Sequence, residues 1–321
     1  MWHCPVVVAP RLPVGSPPLS AAWQGPTEPR GAAVLRIGLI GTENSHITHF
    51  TRFLNVEERH PGVRATALVG GPSPRNQELA ELGAIERIVQ EPADLGDEVD
   101  AAIVSSRDGG KHLEHARPLL EAGKAVLVDK PLAASVADAQ ELLALAERSG
   151  AVMLSCSALR FVPELSDFAA SQETGRLRHL HVSGPADPDS EYAGLFFYGI
   201  HHVEAALEIL GNPTVAPGTL EVRTVRREDT VVAWCEIAGT QVTFTFLTPG
   251  EGTRTPFHAT AIYENAAVSR PLTLGGDYNA PALAEFLQAV EDGASPRSPQ
   301  ALLSPVVTLC AITESLERNP S

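Results

Sequence analysis

Gly41, Glu43 and His46, in "RIGLIGTENSH" (residues 36–46), stand where a dinucleotide-binding turn would carry the glycines of Gly-x-Gly-x-x-Gly. In such a turn the first glycine makes the bend, the second admits the pyrophosphate and the third lets helix and strand pack closely. Gly41 keeps the bend. Glu43 brings bulk and a negative charge toward two phosphates; at about 4 Å and an effective dielectric of about 20, like unit charges repel by roughly 4 kcal/mol. The carboxylate escapes that repulsion if it turns to solvent or caps N–H groups of the following helix. The backbone donors of Thr42, Asn44 and Ser45 and the helix N-terminus remain for phosphate. His46 either pushes the helix outward or turns toward the ligand.

The end of the second strand is the next place where chemistry is legible. An acid there would bind a ribose hydroxyl and favour NAD. The chain has Gly70-Gly71-Pro72-Ser73-Pro74-Arg75 and no acid. Ser73 and Arg75 suit a 2′-phosphate, which favours NADP over NAD; a solvated turn with an incidental arginine explains the same letters. Histidines suggest a third chemistry. His46 and His49 form an H-x-x-H pair, and His201, His202 and Glu204 cluster. A metal-dependent lyase or isomerase would need such groups to converge, but they fall in different halves of the chain, and no metal ligand is assigned.

The elements that position these residues alternate in type. "VLRIGLI", "VRATALVGG", "VDAAIVSS", "AVLVDKP" and "AVMLSCS" read as short buried strands. Between them "SHITHFTRFLN", "PRNQELAELG" closed by Gly83, "GKHLEHARPLLEAG" closed by Gly123, and "SVADAQELLALAERSG" opened by Ser135 and closed by Gly150 read as helices. Repeated β-α units predict a parallel sheet covered on both faces. After about residue 155 the rhythm changes. "RLRHLHVSG", "TLEVRTVRR", "TVVAWCEIAG" and "QVTFTFLTPG" are strands joined by short turns, as in antiparallel hairpins. "GIHHVEAALEILG" is a helix among them, and two more lie near 279–292 and 299–317.

The chain has 321 residues, 24 Lys and Arg against 39 Asp and Glu, and a net charge of −15. That balance opposes sequence-independent binding to nucleic acid and to anionic membranes. Cys4, Cys156, Cys235 and Cys310 are scattered without a C-x-x-C pair, so a reducing cytoplasm is the expected compartment. No apolar run approaches the roughly 18 residues of a membrane span. The Pro-rich residues 1–33 read as a disordered or mis-started leader, or an arm against a partner subunit.

Three landmarks follow in order: the Gly41 turn, "VDKPLAAS" (128–135) at a strand end, and "FFYGIHHVEAALEILG" (196–211) in the second half. With "HLEHARPLLEAGKAVLVDKPL", Arg160-Phe161 and "GRLRHLHVSGPAD", this order resembles the Gfo/Idh/MocA family of NAD(P)-dependent oxidoreductases, in a variant form of unassigned substrate, over about Leu35 to Glu317. The resemblance implies an α/β fold: a Rossmann-type parallel-sheet domain over 34–154, then an α+β domain with a mostly antiparallel open sheet over 155–321. The last helix is expected to pack back on the first domain.

The resemblance also implies roles. Family members carry Glu-Lys-Pro where this chain has Asp129-Lys130-Pro131, and the lysine lies between nicotinamide and substrate hydroxyl. A cation there stabilises a developing alkoxide. The family's Asp-x-Gly-x-His-x-x-Asp corresponds to Phe197-Tyr198-Gly199-Ile200-His201-His202-Val203-Glu204, with His201 as proton acceptor. Phe197 replaces the first Asp, so one polar partner is missing. Tyr198 can supply a phenol, and Glu204, on the same helical face, can orient the imidazole. The expected catalytic set is Lys130, His201, Tyr198 and Glu204. The cofactor set is Gly41, Thr42, Glu43, Asn44, Ser45, His46, Ser73, Arg75, Ser105, Ser106, Asp129 and Lys130. His112, Arg160 and His202 are placed with the substrate by analogy of position.

The implied activity is hydride transfer between NAD(P) and a sugar, polyol or related cyclic alcohol or ketone. The alternative is a non-redox or cofactor-impaired member, an epimerase, a lyase or a ligand-binding module, suggested by Glu43, Phe197 and the missing acid. Loops 183–196 and 247–257 should shape the pocket, and the acids of "GPADPDSEY" argue against an anionic substrate there. A homodimer or homotetramer through the open sheet face is implied by the family alone.

Overall fold

Short apolar strands that end at sharp turns build the first sheet. The computed structural model describes residues 34–318, so the expected leader and Cys4 lie outside the described residues. Strands β1 (Leu35–Ile40), β2 (Val63–Val69), β3 (Arg87–Val89), β4 (Ala101–Val104), β5 (Ala125–Val128) and β6 (Met153–Leu154) run in the order β3-β2-β1-β4-β5-β6. Every pairing is parallel. β4 and β5 are buried at each position, which is why they read as unbroken apolar runs. The strand order reverses between β1 and β4, the switch point at which open α/β sheets bind ligands.

Helices α1 (Ser45–Thr51), α2 (Pro74–Gly83), α3 (His112–Glu121) and α4 (Val136–Ser149) cover this sheet. α4 is opened by the Ser135 side chain, which accepts from Asp138 N, and closed by left-handed Gly150, as the sequence implied. α2 differs in its ending. Gly83 stays helical and Ala84 takes the left-handed position. The glycine is needed for space, because a Cβ at Gly83 would lie 2.6 Å from the Thr51 methyl.

After the seven-residue α5 (Leu165–Ser171) comes the second sheet. It comprises β7 (Leu177–Pro185), then, after α6 (Gly199–Ile209), β8 (Arg223–Arg227), β9 (Thr230–Ile237), β10 (Thr240–Leu247), β11 (Phe257–Tyr263) and β12 (Ala267–Leu272). Its order is β12-β11-β7-β10-β9-β8. All neighbours are antiparallel except β7 and β10, so the mostly antiparallel expectation holds. β3, α5, β11 and β12 are not announced by any local sequence pattern.

Val242, Phe244 and Phe246 alternate inward from β10 and are fully buried. α6 is buried along nearly its whole length, which explains the absence of a polar stripe. The chain then returns. α7 (Ala280–Asp292) sends Leu283 and Phe286 into the core formed by Ile37, Leu39, Ile103 and Leu127 of the first sheet. Burying each such side chain contributes about 1.5–3 kcal/mol. α8 (Pro299–Arg318) packs on α4 and α6. Residues from Val34 onward form one compact unit. Among the described residues no helix is long and apolar enough to cross a membrane.

Candidate active site

The β1–α1 turn presses directly on the end of β4. Gly41 has φ +83°, and a Cβ there would lie 2.3 Å from Ser106 N. Asn44 caps α1 by accepting from His46 N at 3.1 Å. The N–H groups of Thr42 and Glu43 have no partner among the described residues. Glu43 neither caps α1 nor simply faces solvent; its Oε1 accepts from Arg107 N at 3.1 Å, on the loop after β4. A turn with free backbone donors, and an acid already held by a donor of its own, fits a phosphate-bearing dinucleotide.

Ser73 and Arg75 are engaged elsewhere than expected. Ser73 Oγ caps α2 through Asn76 N at 3.1 Å. Arg75 folds over the turn, donating to Thr42 O at 3.1 Å and to Thr48 Oγ1, with Glu78 on its other side. Together they do not form an open 2′-phosphate socket, and the sequence argument favouring NADP loses its basis.

Asp129 and Lys130 sit at the C-terminal end of β5. Asp129 Oδ2 meets His46 Nδ1 at 2.6 Å and accepts from Ser105 Oγ at 2.5 Å; Oδ1 accepts from Lys130 N at 2.8 Å. Burial alone would raise this carboxyl, but His46, Lys130 and the Ser105 hydroxyl hold it well below the usual carboxylate range. His46 therefore turns inward, onto Asp129. Lys130 is buried, and burial pushes its pKa down against the opposing pull of Asp129 and Glu204. Its Nζ donates to Phe197 O at 3.2 Å and lies 5.1 Å from the Phe197 ring centroid. The Phe197 carbonyl thus offers the lysine a polar partner where the expected Asp is absent.

His112 does not reach a substrate. It is fully buried, with Nδ1 2.7 Å from Pro131 O and Nε2 2.9 Å from Ser106 O, and so braces the loops that carry Lys130 and Ser106. The Ser106 hydroxyl is itself paired with His115 Nδ1 at 2.7 Å.

His201, on the first turn of α6, is held by a residue that sequence reasoning missed. Its Nδ1 lies 2.6 Å from Ser157 Oγ, and Ser157 N donates to Glu204 Oε2 at 2.8 Å. Glu204 therefore acts on the imidazole through Ser157 and does not touch it. The same carboxylate receives Arg160 Nε, while Arg160 Nη1 donates to Glu208 and Asn212 at 2.6 Å each. Arg160 is a buried strut, not a substrate ligand. His202 is also removed from the substrate set. It is fully buried against Phe246 and Phe257, and burial lowers its pKa to about 4.

Burial first, then the charge on Lys130, keeps His201 well below the ordinary histidine range, so it is neutral near neutral pH. The Ser157 contact fits either tautomer; in the one whose Nδ1–H donates to Ser157 Oγ, Nε2 is the proton acceptor. Tyr198 is 40% exposed and meets His201 edge-on, with ring centroids 5.6 Å apart.

Lys130, Tyr198, His201, His46 and Asn44 line one cleft of about 980 Å³, together with Tyr278, which sequence reasoning also missed. Residues 249 and 253–257 line it too, as expected of that loop. The acids of "GPADPDSEY" do not line it; Asp189 is paired with Arg226. The H-x-x-H pair does not converge, since His46 meets Asp129 and His49 Nδ1 meets Asn279. Among the described residues no three His, Cys, Asp or Glu side chains group to hold a metal ion. A signal for Ser157 existed: it follows the last parallel strand, at the carboxyl edge where such sheets place ligands.

Residues 35–156 match the oxidoreductase family with an NAD-binding Rossmann fold. The resemblance read from the sequence is borne out over this part of the chain, which matches the Rossmann domain of the Gfo/Idh/MocA family. Human biliverdin reductase A is 28% identical over 197 residues, covering 60% of this chain and 62% of that protein. Inositol 2-dehydrogenase 2 of Saccharopolyspora erythraea is 29% identical over 206 residues, covering 60% and 57%. The chain thus matches about three-fifths of the length of these relatives. GenD2 from gentamicin A biosynthesis, solved in complex with NAD, superposes with a TM-score of 0.77 at 20% identity, covering 91% of this chain and 97% of that one. That likeness establishes the fold over both sheets.

Proposed function

We propose that this protein transfers a hydride between NAD(P) and the carbinol or carbonyl carbon of a sugar, polyol or related cyclic alcohol. The observation that carries this reading is the meeting, in one cleft, of a buried lysine and a neutral histidine beside a turn with free backbone donors. The relation to an inositol dehydrogenase supports the substrate class.

Thr42, Glu43 and Ser45 would hold the dinucleotide through backbone N–H groups, and Asp129 and Lys130 would border its reactive end. When bound, the nicotinamide supplies a hydride acceptor or donor. Lys130 donates to the substrate oxygen and stabilises negative charge developing on it. His201 takes the hydroxyl proton on Nε2 during oxidation and returns it during reduction. Ser157 and Glu204 position that imidazole. The proposal includes assembly through the outer face of the second sheet, which presents Trp234, Thr243 and Ile262 away from the core.

Replacing Lys130 with Met tests the assignment. Turnover of an accepted alcohol should fall by at least about 10²–10³-fold, the range for losing one preorganised donor to a transition-state oxygen, while circular dichroism and melting stay as in the parent. A fully active variant would sink it.

A further inference from the structure

The cleft is charged in one sense only. Its charged lining residues are Lys130, Arg107 and Arg254, and no carboxylate joins them. This stands out in a chain of net charge −15, in which most arginines are ion-paired. The guanidinium groups of Arg107 and Arg254 have no hydrogen bond or ion pair among the described residues; Arg107 only rests over the Tyr192 ring, at 5.8 Å.

Acids near the cleft are engaged elsewhere. Asp277 is paired with Arg52 and Arg59, Asp189 with Arg226, and Asp129 with His46. Glu43 accepts from Arg107 N, and Glu251, in the loop of Arg254, is solvent-exposed and off the lining. Arginine and lysine can only donate hydrogen bonds. A hydroxyl both donates and accepts, so the Thr253, Thr255 and Thr273 hydroxyls of these walls suit a neutral alcohol, whereas the two unpaired guanidinium groups are matched in charge only by an anion. An anion only accepts, and matches them. The remaining surface is largely apolar, with Phe197, Tyr198, Phe257 and Tyr278 among its rings.

We infer that the substrate is a carboxylate-bearing ring compound with a largely apolar body, its anionic group held by Arg254 with Arg107. This narrows, and rests on, the hydride-transfer reading above.

Binding of cyclohexanecarboxylate, cyclohexanemethanol and myo-inositol by saturation-transfer NMR tests it, on the full chain at low ionic strength, with and without NADH or NADPH. The carboxylate should bind at least about tenfold more tightly than either neutral ring, the scale of one charge-assisted hydrogen bond. Arg254→Gln and Arg107→Gln should each shrink that gap. Arg223→Gln, which removes an exposed arginine away from the cleft, should leave it intact. Equal affinities for the three probes, or a gap that survives Arg254→Gln, would overturn the inference. Nucleotide binding separates the two readings. A gap without nucleotide binding removes hydride transfer and keeps the anionic ligand. Nucleotide binding without a gap does the reverse.

Discussion

Single side chains decide whether the cleft can move a proton. His201 must be neutral to accept one, and its lowered pKa places the acid limb of kcat/KM below the ordinary histidine value of 6.5. Lys130 must be charged, and its lowered pKa places the alkaline limb below 10.5. Ser157 links the imidazole to Glu204, so Ser157→Ala should cost about 10–100-fold in kcat, the worth of a buried hydrogen bond left unmade. The sign of the accompanying pH shift follows from charge. Ser157 Oγ accepts more strongly from an imidazolium than from an imidazole; removing it lowers the His201 pKa further and moves the acid limb to lower pH. A pH–rate profile with kcat and limb both unchanged would show Ser157 to be a bystander. Lys130 and His201 were legible because each sits in a recognisable local word. Ser157 was not, because its contact joins residues 44 apart through the fold. Arg254 was hidden for a similar reason: nothing near it in sequence shows that it faces Lys130's cleft.

Elements place those side chains, and most of them could be read from local pattern. α4 carries its own start and stop in Ser135 and Gly150, and β4 and β5 are unbroken apolar runs. β3 was missed because three residues at a sheet edge carry no period. β11 and β12 were missed because Ala259 and Ala261 make a weak inward stripe and Pro271 interrupts the outer strand. Glu43 shows the limit of local reading in another way. Its partner is neither water nor its own helix but a backbone N–H across the switch point. The closeness of turn and β4 loop that allows this depends on Gly41. Gly41→Ala combines a left-handed φ with a 2.3 Å approach to backbone, so it should destabilise the fold by about 3 kcal/mol or more. Urea unfolding would measure this, and a variant as stable as its parent would mean that the turn and the β4 loop can separate freely.

At the scale of the whole molecule, the second half of the chain returns α7 to the core of the first sheet and α8 to α4, so the cleft is bordered by parts that share cores. The central claim is that this assembly still binds a dinucleotide although two of the three glycines of its turn are replaced. Calorimetric titration of the purified protein with NADH and, separately, NADPH, alongside extraction of any nucleotide it already carries, tests that claim most directly. Saturable binding of at least one of them is expected, because Glu43 is held by Arg107 N and the Thr42 and Glu43 N–H groups have no partner among the described residues, although Asn44 N is taken by Gly41 O. No heat with either, and no nucleotide in the extract, would contradict it; the Rossmann domain would then be a fold kept without its cofactor, and Lys130 and His201 would belong to a non-redox site.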